Sequence, residues 1–145
     1  MDIGQMMLRL KKVADELGLP LGERKKTYNS RLAQELAKWA ESKSRGDEFH
    51  DAVFRAYFVE GKNIGKRAEL VALATSIGLP AEEAETILHS RSFRDAVDSD
   101  WAKSHQMGIT SVPTFVIDEQ TAVGAQPYEV LEQFLKANGV KKRGS

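Results

Sequence analysis

The strongest constraint on this chain is a short block near its C-terminal end, Val112-Pro113-Thr114-Phe115-Val116-Ile117, followed across polar Asp118-Glu119-Gln120 by Ala122-Val123-Gly124-Ala125. Thr114 to Ile117 is dense in β-branched and aromatic residues, which suit a pleated, half-buried surface, and the second run reads as the antiparallel return. A two-stranded hairpin alone is marginal in water, so these strands need helices or further strands against them. The rest of the chain is patterned as helix. The expected fold is therefore α/β and predominantly helical, ending in a β-hairpin plus helix.

The helical part is punctuated by its own stop signals. Met6, Met7, Leu10, Val13, Ala14 and Leu17 recur at helical spacing until Gly18-Leu19-Pro20. After a basic, turn-rich link from Gly22 to Lys26, Asn29 or Ser30 is placed to cap a helix whose apolar face is Leu32, Ala33, Leu36, Trp39 and Ala40, ending near Lys43. Ser44-Arg45-Gly46-Asp47 precedes a helix holding Phe49, Val53, Phe54, Ala56, Tyr57 and Phe58; so many aromatics predict substantial burial and a central position. Leu70, Leu73, Ala74 and Ile77 form the next face, closed by Gly78-Leu79-Pro80, and a short helix from Ala81 follows with Ala84, Ile87 and Leu88 inward. Ser92-Phe93-Arg94-Asp95 has a capping-box-like layout ahead of Phe93, Val97, Trp101 and Ser104. Past the hairpin, Pro127 occupies an early helical position, Val130, Leu131, Phe134 and Leu135 turn inward, and Asn138-Gly139 is the stop.

Composition narrows the chemistry. At 145 residues the chain is of one-domain size, and 21 basic residues balance 21 acidic ones, so no global field draws it to nucleic acid or an anionic membrane. Its longest apolar runs fall far below the about 20 residues that span a bilayer. The chain has no cysteine, and its three histidines, His50, His89 and His105, show no ligand spacing. Neither a disulfide nor a thiolate metal site can form, and no cofactor is expected.

The order helix, Gly108-Ile109-Thr110-Ser111-Val112-Pro113-Thr114-Phe115-Val116-Ile117, hairpin, Gly124-Ala125-Gln126-Pro127-Tyr128, helix resembles the DsbA-type disulfide oxidoreductases, and specifically their FrnE-like branch. Asn29-Ser30-x-x-Ala33-Gln34 and Phe54-x-x-Tyr57-Phe58-x-Glu60-Gly61-x-x-Ile64-Gly65 look like that branch's helical-insertion motifs. The resemblance implies a partial thioredoxin-like fold in three parts. Residues 1–107 form a helical insertion domain that includes the connecting helix 92–107, residues 108–140 the thioredoxin-like hairpin and helix, and residues 141–145 a disordered tail. In such proteins a first strand, a Cys-bearing helix and a second strand precede the insertion, so the chain is expected to be a truncated member. It is predicted inactive alone, with no catalytic residue of its own.

The same resemblance implies a substrate site at Ser111, Val112, Pro113, Asn29 and Gln34. It implies a cis bond between Val112 and Pro113 that exposes the Val112 backbone to an extended substrate; the residues alone suggest an ordinary trans proline opening an edge strand. Ser111 reads from sequence as a turn residue rather than a nucleophile, because no histidine is placed to activate it. Asn29 serves equally as an N-cap. The aromatics fit a core better than a substrate groove, His50 and His89 read as singly packed or solvated, His105 as a helix-end residue beside Trp101, and Arg24-Lys25-Lys26 as a solvated loop.

Three functions compete. The leading one is the family's thiol–disulfide oxidoreduction, with a protein thiol or extended peptide as partner. The second is a peptide-binding or oligomerising module, including a homodimer, that uses an exposed strand edge. The third, a relative of 2-hydroxychromene-2-carboxylate isomerases or kappa-class glutathione transferases, rests on family analogy alone. No nucleic acid or membrane partner is expected, and the default localisation is cytoplasmic.

Overall fold

The computed structural model describes residues 2–144. Seven α-helices and one hairpin follow in the order α1 (Ile3–Glu16), α2 (Arg31–Ser42), α3 (Gly46–Phe54), α4 (Arg67–Ser76), α5 (Ala81–Ser90), α6 (Arg94–Gln106), β1 (Thr114–Ile117), β2 (Gln120–Val123) and α7 (Tyr128–Ala137). A π-helical turn, Arg55–Val59, continues directly from α3. The backbone separates into two compact units, Met1–Asp98 and Ser99–Ser145, with the division inside α6. No helix among the described residues is long and apolar enough to cross a membrane.

The first unit is built on α2. Leu36, Trp39 and Ala40 from its buried face meet Phe49 of α3, Leu70 and Ala74 of α4, and Ala84 and Leu88 of α5 in one apolar cluster. The period-3.6 reading of these helices thus places the core correctly. Trp39 is 2% exposed and satisfies its indole by donating Nε1–H to Glu83 Oε1 at 3.1 Å, so it belongs to the core rather than to a groove.

Several local expectations are corrected. α1 starts at Ile3, three residues before the apolar spacing begins at Met6, because the Asp2 carboxylate accepts from Gly4 N–H at 2.8 Å and from Gln5 N–H at 3.4 Å. Ser92 does not cap α6: its hydroxyl bonds that of Ser90, Arg91 takes a left-handed conformation (φ 56°), and Val97 N–H closes the first turn on the Phe93 carbonyl. The aromatic helix is only partly buried, with Phe49 fully enclosed while Phe54 and Phe58 are 57% and 42% exposed. At about 100° per residue Phe58 falls half a turn from Phe49, so helical spacing itself sets it, with the neighbouring Phe54, on the side away from the core.

The second unit carries the hairpin and α7. β1 and β2 pair antiparallel in the register Thr114↔Val123, Phe115↔Ala122, Val116↔Thr121, Ile117↔Gln120. Gln120 therefore belongs to the strand rather than to the link, and the turn is Asp118-Glu119 with Asp118 in the left-handed region (φ 52°). Pro127 precedes α7 as its cap residue. Leu131 and Phe134 are half-buried, whereas Val130 and Leu135, about 140° apart on the helix and flanking them, stay exposed. Residues 141–144 carry no helix or strand, and Ser145 lies outside the described residues.

Candidate functional site

In the first unit the chain after Lys26, α2, α3 and the π turn enclose a cavity of about 430 Å³. Ala33 and Ala37 give it a small-residue floor on α2, next to Ser30 and Gln34. Phe49, His50, Val53 and Phe54 of α3, Tyr57 and Phe58 of the π turn, Tyr28 and Ile64 complete it. Tyr57 and Phe58 are sequence neighbours, yet both line the cavity, with rings edge to face 4.8 Å apart. His50, Phe54 and Phe58 form a ladder at i,i+4 spacing, with centroid separations of 6.3 and 6.2 Å. Tyr28 meets Tyr57 edge-on at 6.5 Å.

The polar groups here are few and placed. Gln34 Nε2 donates to Ser30 Oγ at 2.9 Å, one helical turn away, and Asn29 Oδ1 accepts from Arg31 N–H at 2.8 Å. Gln34 and Ser30 line the cavity, while Asn29 bonds the first helical amide from the position before the N-cap Ser30 and is not among the cavity walls. His50 Nε2 lies 3.4 Å from Glu41 Oε1, so it is neither single nor simply solvated. An apolar cavity with a handful of oriented polar groups is the usual form of a ligand site. Among the described residues there is no thiol and no cluster of three potential metal ligands.

The face of α2 away from the cavity is fixed by charge. Glu35, 2% exposed, receives Nε and Nη2 of Arg91 at 2.7 and 2.6 Å and Nε of Arg31 at 2.9 Å. Arg31 also reaches Asp98 Oδ1 at 2.6 Å and the Arg94 carbonyl at 2.8 Å. The hydrogen bonds from Arg91, and then those from Arg31, hold the Glu35 carboxyl below the ordinary carboxylate range despite the opposing cost of burial. This network spaces α2 from the α5–α6 turn and so fixes the register of Ser30 and Gln34.

In the second unit, Val112 is 88% exposed and the Val112–Pro113 peptide bond is cis. The Pro113 carbonyl accepts Gly124 N–H at 2.8 Å, which extends the β1–β2 ladder by one pair. Because hydrogen-bonded positions alternate along an antiparallel pair, the Pro113 carbonyl and the backbone groups of Phe115 and Ile117 turn to β2, and those of Thr114 and Val116 turn to the open edge. Among the described residues no second strand covers that edge. The Ser111 carbonyl accepts Thr114 Oγ1–H at 2.7 Å, a turn contact as its sequence suggests. Beside the edge, β1 with Leu131, Phe134 and Leu135 of α7 lines a groove of about 420 Å³. Ser111, Val112 and Pro113 thus cluster in the second unit, and Ser30 and Gln34 in the first.

Sequence reasoning overlooked Tyr28, His50 and Ile64 as cavity residues. The available signal was the i,i+4 spacing of His50, Phe54 and Phe58. It also misplaced Arg24, which is half-buried with its guanidinium 4.9 Å from the Tyr57 ring centroid, while Lys25 and Lys26 are exposed as expected.

A family model described as a DSBA-like thioredoxin domain matches residues 2–136. The protein YwbO of Bacillus subtilis (strain 168) is 31% identical over 112 residues, covering 77% of this chain and 56% of that protein. Among solved structures, a probable DsbA oxidoreductase from Streptomyces coelicolor superposes with a TM-score of 0.80 at 29% identity, over all of this chain and 65% of that one. A 2-hydroxychromene-2-carboxylate isomerase superposes with a TM-score of 0.77 over 94% of this chain and 66% of that one; at 19% identity this likeness speaks for the fold alone. The chain spans between about half and two-thirds of the length of each of these proteins.

Proposed function

We propose, from the premise that this chain belongs to the family of DSBA-like thioredoxin domains, that it holds an extended protein thiol or peptide for thiol–disulfide oxidoreduction. The observation that carries this reading is the open edge of β1, where the N–H and C=O groups of Thr114 and Val116 face away from β2 and Val112 stands exposed just ahead of the strand. An extended peptide laid along that edge gains backbone hydrogen bonds at every second residue. The aromatic cavity bounded by Ser30 and Gln34 takes apolar side chains of the same class of partner. We assign the chain to the FrnE-like branch and to the cytoplasm, where substrate thiols stay reduced.

The chain's own residues bind and orient in this reading, and exchange chemistry falls to thiols it does not carry, since the attacking group must be a thiolate. Ser111 takes no nucleophilic role: its carbonyl closes a turn and no base is placed beside it. The test is binding of an extended apolar peptide, compared with the same peptide N-methylated at alternate residues. One N-methylation register should abolish binding and the other leave it intact, because only one set of peptide amides faces the strand. Equal binding by both registers would refute strand pairing.

A second copy of the chain satisfies the same edge, so the alternative occupant is a homodimer paired β1 to β1. A concentration-dependent mass that peptide fails to dissolve would favour it.

A further inference from the structure

We infer that the groove between α1 and the extended segment following it, with Arg24 in its wall, is a binding site for a free aliphatic monocarboxylate. The groove measures about 270 Å³ and shares only Phe58 with the aromatic cavity. Met7, Leu10, Val13 and Leu17 of α1 form one side, and Leu19 and Leu21 stand on the other. Backbone hydrogen bonds hold the second side in place, from Leu19 N–H to the Ala14 carbonyl and from Gly22 N–H to the Phe58 carbonyl, both at 2.8 Å. Arg24 is the one charged residue in this lining.

The guanidinium of Arg24 has contacts but no counter-ion among the described residues. Nη1 donates to Tyr57 Oη, Nη2 approaches Met7 Sδ at 3.8 Å, and the Tyr57 and Phe58 ring centroids lie 4.9 and 5.9 Å away. A thioether is a weak acceptor, and a guanidinium carries five N–H donors and cannot shed its charge when desolvated. Ring stacking offsets part of that cost. Tyr57 lies outside the groove lining, so Arg24 alone presents the charge there, with the guanidinium N–H groups not spent on Tyr57 Oη or Met7 Sδ left to donate to an anion.

Charge complementarity sets the head of the ligand and the lining sets its body. With every other lining side chain apolar, a peptide entering the groove would bury amides without side-chain partners, whereas a hydrocarbon chain buries none. The volume lies just under the range typical of drug-sized ligand pockets, about 300–1,000 Å³, which suits one short chain. This inference does not rest on the peptide reading of β1.

The experiment is titration calorimetry of the full chain with sodium octanoate and, separately, with octan-1-ol, paired with methyl resonances of Met7 and Leu10. Octanoate should saturate one site, shift those methyls, and bind at least about tenfold more tightly than the alcohol; Arg24→Gln should weaken octanoate by about tenfold or more. The octanol comparison uses the unaltered chain, so it stands even if Arg24→Gln misfolds. Lack of saturable binding, equal affinity for acid and alcohol, an unchanged Arg24→Gln, or tighter binding of a peptide with a free apolar C-terminus would each overturn the assignment.

Discussion

Arg91 forks onto Glu35, its Nε 2.7 Å from Oε1 and its Nη2 2.6 Å from Oε2. The pair joins α2 to the residue that ends α5, and Arg31 carries the link on to Asp98 in α6. A buried carboxylate with three charged donors is an organising contact: deleting either side strands charge away from water. Its consequence for function is positional, since Glu35 sits one residue after Gln34 and on the same helix as Ser30.

Glu35→Gln should therefore destabilise the chain by about 2–3 kcal/mol at neutral pH. Arg91 lowers the Glu35 carboxyl below its ordinary value, so the stability it contributes is complete above the ordinary carboxylate pKa and is lost as pH falls through the lower folded value. Urea unfolding of both proteins at a series of pH values should show the gap between them closing on the acid side. A gap that stays constant with pH would remove the ion pair as its cause.

Gly22→Ala should be costly although Gly22 lies outside any helix or strand. A Cβ there would stand 2.1 Å from the Val59 carbonyl oxygen, in a contact with backbone that cannot rotate away. The Gly22 N–H bond to Phe58 would break and the segment bearing Arg24 would lift, with a loss of about 1–3 kcal/mol. Thermal unfolding measures the loss, and weaker octanoate binding should accompany it.

Phe49 and Phe54, five residues apart, should separate stability from binding. Phe49→Ala empties a fully buried position and should cost about 3–5 kcal/mol. Phe54→Ala removes a ring that is 57% exposed at the cavity and should cost less than about 1 kcal/mol, while weakening an apolar peptide about fivefold to tenfold. Chemical denaturation and fluorescence anisotropy give the two numbers independently.

The purified chain should reduce insulin no faster than buffer, because it has no thiol to form a mixed disulfide. Turbidity with dithiothreitol as reductant is the assay, and chain-dependent acceleration would contradict the assignment of exchange chemistry to other thiols.

Much of this architecture was legible because helical periodicity reports burial directly. Leu36, Trp39, Leu70, Ala74, Ala84 and Leu88 lie where their spacing puts them. The hairpin was legible from β-branched density and a polar link, and the family from the motif around Val112-Pro113. What escaped was tertiary. Ser92 has the chemistry of a cap, but Arg91, held in a left-handed turn by Glu35, carries the chain past it. Aromatic richness was read as burial, although helical spacing sets Phe58 about half a turn from Phe49, and the half-burial of Arg24 against the Phe58 ring has no local signature. The pairing of Glu35 is not legible locally, since its partners are 4 and 56 residues away and the second of them has no local signature.

The central claim is that β1 receives a partner along its open edge, and amide hydrogen exchange resolved by residue tests it most directly. With an extended apolar peptide bound, the amides of Thr114 and Val116 should slow markedly, while those of Phe115 and Ile117, already turned to β2, should change little. Protection spread evenly over both sets, or confined to the aromatic cavity of the first unit, would contradict it.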